Sequence, residues 1–124
     1  MVALYSEVLL DHFRHPRNYG NLSAPDIAHE DLNPLCGDRI RIELRLNHTV
    51  VAEARFTGDG CAISIAAASI LTELVVGADI TDSDAISADR LVAALESEIK
   101  PARLQCALLP LEAFRAGLRQ FGVR

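Results

Sequence analysis

Apolar residues along this chain follow three rhythms, and each predicts a different element. Leu4, Val8, Leu9 and Phe13 recur at helical spacing from Leu4 to Arg14, and Pro16 ends the pattern. The stretch His15-Pro16-Arg17-Asn18-Tyr19-Gly20-Asn21 reads as turns. Strict alternation follows: Ile40, Ile42, Leu44 and Leu46 share one face, and Arg39, Arg41, Glu43 and Arg45 the other. A mirror run puts Ala52, Ala54 and Phe56 on one face and Val51, Glu53, Arg55 and Thr57 on the opposite one. Together they predict an antiparallel hairpin with one buried and one wet face.

Side chains select the register. A three-residue loop, His48-Thr49-Val50, sets Leu44 against Ala54 and Ile42 against Phe56, and pairs Arg45 with Glu53 and Glu43 with Arg55. The register two positions lower would oppose Glu43 to Glu53 and Arg41 to Arg55, and like charges directly opposite are unfavourable. Extended outward, the preferred register brings Cys36 and Cys61 to one end of the hairpin, opposed within a residue. Opposed Cα atoms in such a ladder lie about 4.5 to 5.5 Å apart.

The third rhythm is nearly continuous. From Cys61 to Val76 the residues are apolar and small, with Gly77 as a helix stop, which predicts a helix buried all round. A helix capped by Ser87 is expected over Ala88 to Glu96. Arg103 to Phe121 reads as helical but interrupted by Pro110, which leaves the Cys106 carbonyl without its N–H partner and predicts a turn or kink near Cys106. The expectation is one α+β domain over residues 1–124, a small antiparallel sheet of about three strands covered by helices.

Composition narrows the function. The chain has 124 residues, half of them hydrophobic, which suits one folded domain. Its formal net charge of −5 argues against a nucleic-acid surface. No apolar run approaches a membrane span, and the first ten residues hold a Glu and no basic stretch, so no membrane anchor or secretory leader is expected. The location expected by default is cytoplasmic.

Three cysteines, Cys36, Cys61 and Cys106, are odd in number, far apart and free of any CxxC pair, so neither a disulfide framework nor a zinc ribbon is written here. Singly, each reads as well as a small buried hydrophobe. Their settings differ from that reading. Cys36 lies in the turn Asn33-Pro34-Leu35-Cys36-Gly37-Asp38; Cys61 follows Gly58-Asp59-Gly60 and opens a helix, whose positive end favours thiolate. Cys106 also sits at an element boundary. Three thiolates with the Asp38 carboxylate suit a tetrahedral zinc or iron site, and Arg103 is a candidate to offset its negative charge. A thiolate held loosely by metal is also a nucleophile toward a persulfide. His12, His15, His29 and His48 stand in no hydrolase signature, which leaves a cysteine hydrolase without its base.

The chain resembles the IscU/SufU group of iron–sulfur scaffold and sulfur-acceptor proteins, which also forms the N-terminal domain of NifU. Tyr5, Asp11-His12, the stretch from His15 to Leu22, Asn33 to Asp38, Gly58 to Ser64 and Cys106 carry the resemblance in order and spacing. It implies that Cys36, Asp38, Cys61 and Cys106 bind zinc or hold a transient [2Fe–2S] cluster. It also implies that sulfur arrives as a persulfide from a pyridoxal-phosphate cysteine desulfurase, for delivery to recipient apoproteins. Cys36 or Cys106 would be the persulfide acceptor, according to branch. Gln105 departs from the histidine of one branch and the lysine of the other, and the Cys61–Cys106 interval is too short for the insertion of the SufU branch. Only half of the IscU-type chaperone motif is present, as Ile99-Lys100-Pro101-Ala102-Arg103, so no chaperone is assigned. Three functions follow: a cluster scaffold, a zinc-dependent persulfide carrier that never holds a cluster, or a structural zinc-binding interaction module.

Overall fold

The computed structural model describes residues 5–35, 37–82 and 86–122; Cys36 lies outside the described residues. Three strands form one antiparallel sheet in chain order: β1 (Ile27–Asn33), β2 (Asp38–Asn47) and β3 (Val50–Asp59). The helices are α1 (Glu7–Arg14), α2 (Ala62–Val75), α3 (Ala88–Ala94) and α4 (Leu104–Phe121), the last entered through a 3₁₀ turn at Pro101–Arg103. α2 and α4 pack against the sheet and each other, and α1 lies on α2. This is the expected α+β arrangement.

Charge pairing chose the hairpin register correctly. Ile42 opposes Phe56, Glu43 opposes Arg55, Leu44 opposes Ala54 and Arg45 opposes Glu53. Beyond Arg45 the ladder shifts by one residue, so Leu46 faces Val51 and Asn47 faces Val50. The loop is therefore His48-Thr49, two residues rather than three, and Ala52 is the extra residue of a bulge. The bulge reverses the faces of the first turn of β3: Val51 is 1% exposed and Ala52 is exposed. A valine gains more from burial than an alanine, which favours spending the bulge here.

The second face of the hairpin is not simply wet. Residues 18–24 cross it, and Glu43 beneath them is 3% exposed. Its carboxylate accepts from Asn21 Nδ2 at 2.8 Å, the Leu22 N–H at 2.7 Å and Arg41 Nε at 2.7 Å. The expected cross-strand ion pair with Arg55 is thus replaced by one with Arg41, two positions along the same strand. Arg45 does pair with Glu53. The outer edge of β3 is closed by loop backbone. Phe56 exchanges hydrogen bonds with Asn18 and Gly20, while Val51 bonds Gly77 and Ala78. Such cover removes a free edge that would otherwise template aggregation.

Helix boundaries follow local chemistry. Ser6 caps α1 by accepting from the Leu9 N–H, so the helix begins three residues after Leu4. Ser87 caps α3 in the same way. α2 is apolar nearly all round because α1, α4 and β3 enclose it. Its polar residues Ser69 and Thr72 are buried and spoken for. His12 Nδ1 shares a 2.7 Å hydrogen bond with Ser69 Oγ, which also accepts from the Arg17 N–H at 2.8 Å. Asn18 Nδ2 donates to Thr72 Oγ1 at 3.1 Å. Pro110 does not break the last helix; α4 runs through it, and Cys106 sits in its first turn rather than in a kink. Buried flanks such as Ala107, Leu109, Leu111 and Phe114 hold the helix against the sheet and α2 despite one missing backbone bond.

Candidate metal and sulfur site

Four boundaries meet at one end of the sheet: the start of β2, the end of β3, the start of α2 and the first turn of α4. The ladder's last pair there is Arg39 with Asp59. Close approach of the β3–α2 turn to β2 depends on two glycines. A Cβ at Gly58 would run into the Arg39 carbonyl oxygen. One at Gly60 would run into Ser64 Oγ and lie 3.1 Å from Asp38 Oδ1. Without side chains at these two positions, Asp38 and Cys61 come into hydrogen-bond contact.

Cys61 is the N-cap residue of α2 but supplies no side-chain cap. Asp38 supplies the acceptor instead: its Oδ1 takes the Cys61 N–H at 3.2 Å. A carboxylate at a helix N-terminus is also favoured by the helix dipole. Asp38 Oδ2 lies 3.7 Å from Cys61 Sγ, and Ser64 Oγ lies 3.6 Å from the same sulfur while donating to the Cys61 carbonyl at 3.2 Å. Cys106 brings the third donor. One ligand atom from each of Asp38, Cys61 and Cys106 lies within 4.8 Å of the other two. Among the described residues no other group of His, Cys, Asp and Glu converges in this way.

The donors differ in access. Asp38 is 3% exposed and Cys106 fully buried, whereas Cys61 is partly exposed. Cys61 opens onto a cleft of about 540 Å³ lined also by Leu35, Asp38, Asp59, Ala102 and Arg103. Arg103 overhangs the thiols. A hydrogen bond to Cys106, then the charges of Cys61 and Cys106, hold its guanidinium above its ordinary pKa. Two soft sulfurs and one hard oxygen at this spacing fit zinc or iron, and a fourth donor is required to complete a tetrahedron.

Of the four residues expected at the site, the structure brings three together. Cys36 falls outside the described residues, so its expected opposition to Cys61 is not described. Gln105 lines a separate cleft with Leu32, Asn33, Pro34, Leu109 and Glu112. His12 serves packing between α1 and α2, and His29 lies on β1. Sequence reasoning missed Ser64. Its signal is present: three residues after an N-cap is the position from which a side chain reaches back to the cap.

Comparison with known proteins agrees with the geometry. Residues 4–124 match the model of the NifU-like N terminal domain. The zinc-dependent sulfurtransferase SufU of Bacillus subtilis (strain 168) is 36% identical, with 94% of this chain and 90% of that protein covered. The iron–sulfur cluster assembly scaffold protein IscU of Azotobacter vinelandii is 31% identical, covering 94% and 93%. The SufU alignment runs over 133 positions, more than the 124 residues of this chain, so SufU carries residues that this chain lacks; the IscU alignment runs over 121. The fold is that of the N-terminal part of a NifU-like protein from Brucella abortus, with a TM-score of 0.79 at 21% identity over 95% of this chain and 94% of that one. The match over nearly the whole length, with a family-like fold, shows that this chain belongs to the NifU-like N-terminal domain family.

Proposed function

We propose that this protein serves iron–sulfur cluster assembly, accepting sulfur from a cysteine desulfurase and holding metal or a nascent [2Fe–2S] cluster at Cys36, Asp38, Cys61 and Cys106. The observation that carries this reading is the convergence of Asp38, Cys61 and Cys106 within 4.8 Å beside an open cleft. Relatives named as an assembly scaffold and as a zinc-dependent sulfurtransferase support it. Cys36, two positions before Asp38 in the sequence, is the fourth donor we assign. A divalent ion bound there would keep the thiols deprotonated at neutral pH. Asp38 anchors the start of α2 and offers oxygen, a weaker partner for iron than sulfur, which suits a cluster that must leave.

The protein acts as an acceptor and scaffold rather than as an enzyme with a turnover site of its own. Cys61 and Cys106 are not joined in a disulfide, which suits a reducing compartment, and the cytoplasm is the setting we assign. Among the described residues no helix is long and apolar enough to cross a membrane. Cys106 is fully buried, so persulfide loading there requires the first turn of α4 to move; Cys36 is the alternative acceptor. Recipient apoproteins complete the partner set, and no chaperone is assigned.

A second reading, a zinc-dependent persulfide carrier that builds no cluster, is favoured by the identity to the Bacillus sulfurtransferase. One experiment separates the two. The protein is purified without oxygen, then incubated with iron, cysteine and a cysteine desulfurase. Visible absorption with matching iron and sulfide supports the scaffold. Retained zinc with sulfur added to one cysteine by mass spectrometry supports the carrier. Neither outcome in wild type and in each Cys→Ser variant ends both.

A further inference from the structure

The persulfide accepted under the proposed function is an anion, and the cleft it must enter is lined by Asp38, Asp59 and Cys61. Two of these are already answered from within the fold. Asp59 pairs with Arg39 at 2.7 Å, and Arg39 is shared with Glu30 at 3.0 Å. Asp38 is turned onto the Cys61 N–H and is 3% exposed. Among the described residues that line the cleft, Arg103 is the one cation. Its side chain is exposed, and among the described residues it forms no ion pair with a carboxylate. Its electrostatic partners include Cys106, to which it hydrogen-bonds, and Cys61. Its backbone is fixed: it closes the 3₁₀ turn begun by Pro101, donating its N–H to the Lys100 carbonyl at 2.8 Å, and it is the N-cap residue of α4 three positions before Cys106.

We propose that Arg103 is the anion-receiving residue of this cleft, holding the terminal sulfur of an incoming persulfide beside the acceptor thiolate during transfer. The inference rests on the sulfur-acceptor reading above and adds the group that makes the step electrostatically feasible. In that step the acceptor thiolate bonds to the terminal sulfur of the donor persulfide, and the donor's S–S bond breaks. Its electron pair leaves on the donor cysteine as thiolate. One persulfide anion and one thiolate enter and the same two leave, so no oxidant or reductant is needed. Two anions must nevertheless meet at bonding distance next to Asp38. A forked guanidinium at the edge of the thiol pair lowers that repulsion and can bond both sulfurs at once, which a compact ammonium does less well.

The test compares alkylation of the purified, metal-containing protein by iodoacetate, an anion, and iodoacetamide, its neutral counterpart. Rates are read for each cysteine by peptide mass spectrometry. Their ratio cancels thiolate fraction and access and reports attraction of an anion to the cleft. In Arg103→Gln the iodoacetate-to-iodoacetamide ratio should fall about fivefold at low salt, and the difference should shrink at high salt. Arg103→Lys should keep most of the wild-type ratio. Persulfide loading from a desulfurase, counted per metal-containing chain, should fall in Arg103→Gln. A ratio equal in wild type and Arg103→Gln overturns the proposal, whatever the loading assay gives. Absence of loading in wild type, with the ratio still dependent on Arg103, overturns the sulfur-acceptor reading and leaves the anion site standing.

Discussion

The Cys61 N–H donates to Asp38 Oδ1 at 3.2 Å, so one carboxylate both caps α2 and belongs to the candidate metal group. Structure and chemistry are therefore coupled at Asp38, and a substitution there should be visible in two measurements. Asp38→Ala should lower metal content in protein purified without oxygen and cost about 1 kcal/mol of stability through loss of the cap. Asp38→Asn keeps a cap acceptor and should recover most of the stability but not the metal. Equal metal content in wild type and both variants would remove Asp38 from the ligand set.

Gly60→Ala should disturb the site through sterics alone. Its Cβ would collide with Ser64 Oγ and press on Asp38. Metal retention should drop, and adding Ser64→Ala should restore part of it by removing the oxygen in the way. A double-mutant cycle on metal affinity gives the answer: a coupling energy of about 1 kcal/mol is expected, and additive effects would contradict the packing argument.

Stability should fall on acidification in two stages. Burial, with Arg17 adding to it, holds His12 below its usual pKa of 6.5, against the opposing pull of Glu73 and Asp11. The unfolded chain then takes the proton first, so stability is full above pH 6.5 and declines as pH falls through that value. Burial pushes Glu43 up, but Arg41, the Leu22 N–H and Asn21 together hold it below its usual 4.5. Its contribution is present above pH 4.5 and lost as pH falls below it. Denaturant midpoints between pH 8 and about pH 3 should show both slopes, and His12→Gln should flatten only the upper one.

Glu43→Ala should release the crossing segment. The Leu22 N–H and the Asn21 amide lose their acceptor, and Arg41 loses its partner. Because Arg41 remains partly solvated, the expected cost is about 2 kcal/mol, less than for a fully buried pair. Hydrogen exchange should speed up at residues 18–24 before it does in β2. Unchanged protection there would mean that the backbone bonds of Asn18 and Gly20 to Phe56 hold the segment without Glu43.

The sequence by itself determined the fold class, the hairpin register from Arg39 to Arg45, the buried helix after Cys61 and the ends marked by Ser87 and Gly77. Each rests on short-range physics: period-two or helical burial, like-charge avoidance and capping. It also singled out Cys36, Asp38, Cys61 and Cys106, because Cys36 and Cys61 stand next to Gly in Asp-containing turns at element boundaries; of the four, Asp38, Cys61 and Cys106 are brought together in the fold. Tertiary structure decided the rest. The bulge at Ala52 turns Val51 inward because the hydrophobic core draws the larger side chain, a choice that alternation alone does not encode. Glu43 became a buried acceptor only once residues 18–24 crossed the sheet. Pro110 stayed inside α4 because packing on both flanks outweighed one lost hydrogen bond. The approach of Cys106 to Cys61 spans 45 positions of sequence, and no local pattern fixes that distance; the docking of α4 against β1, β2 and α2 does.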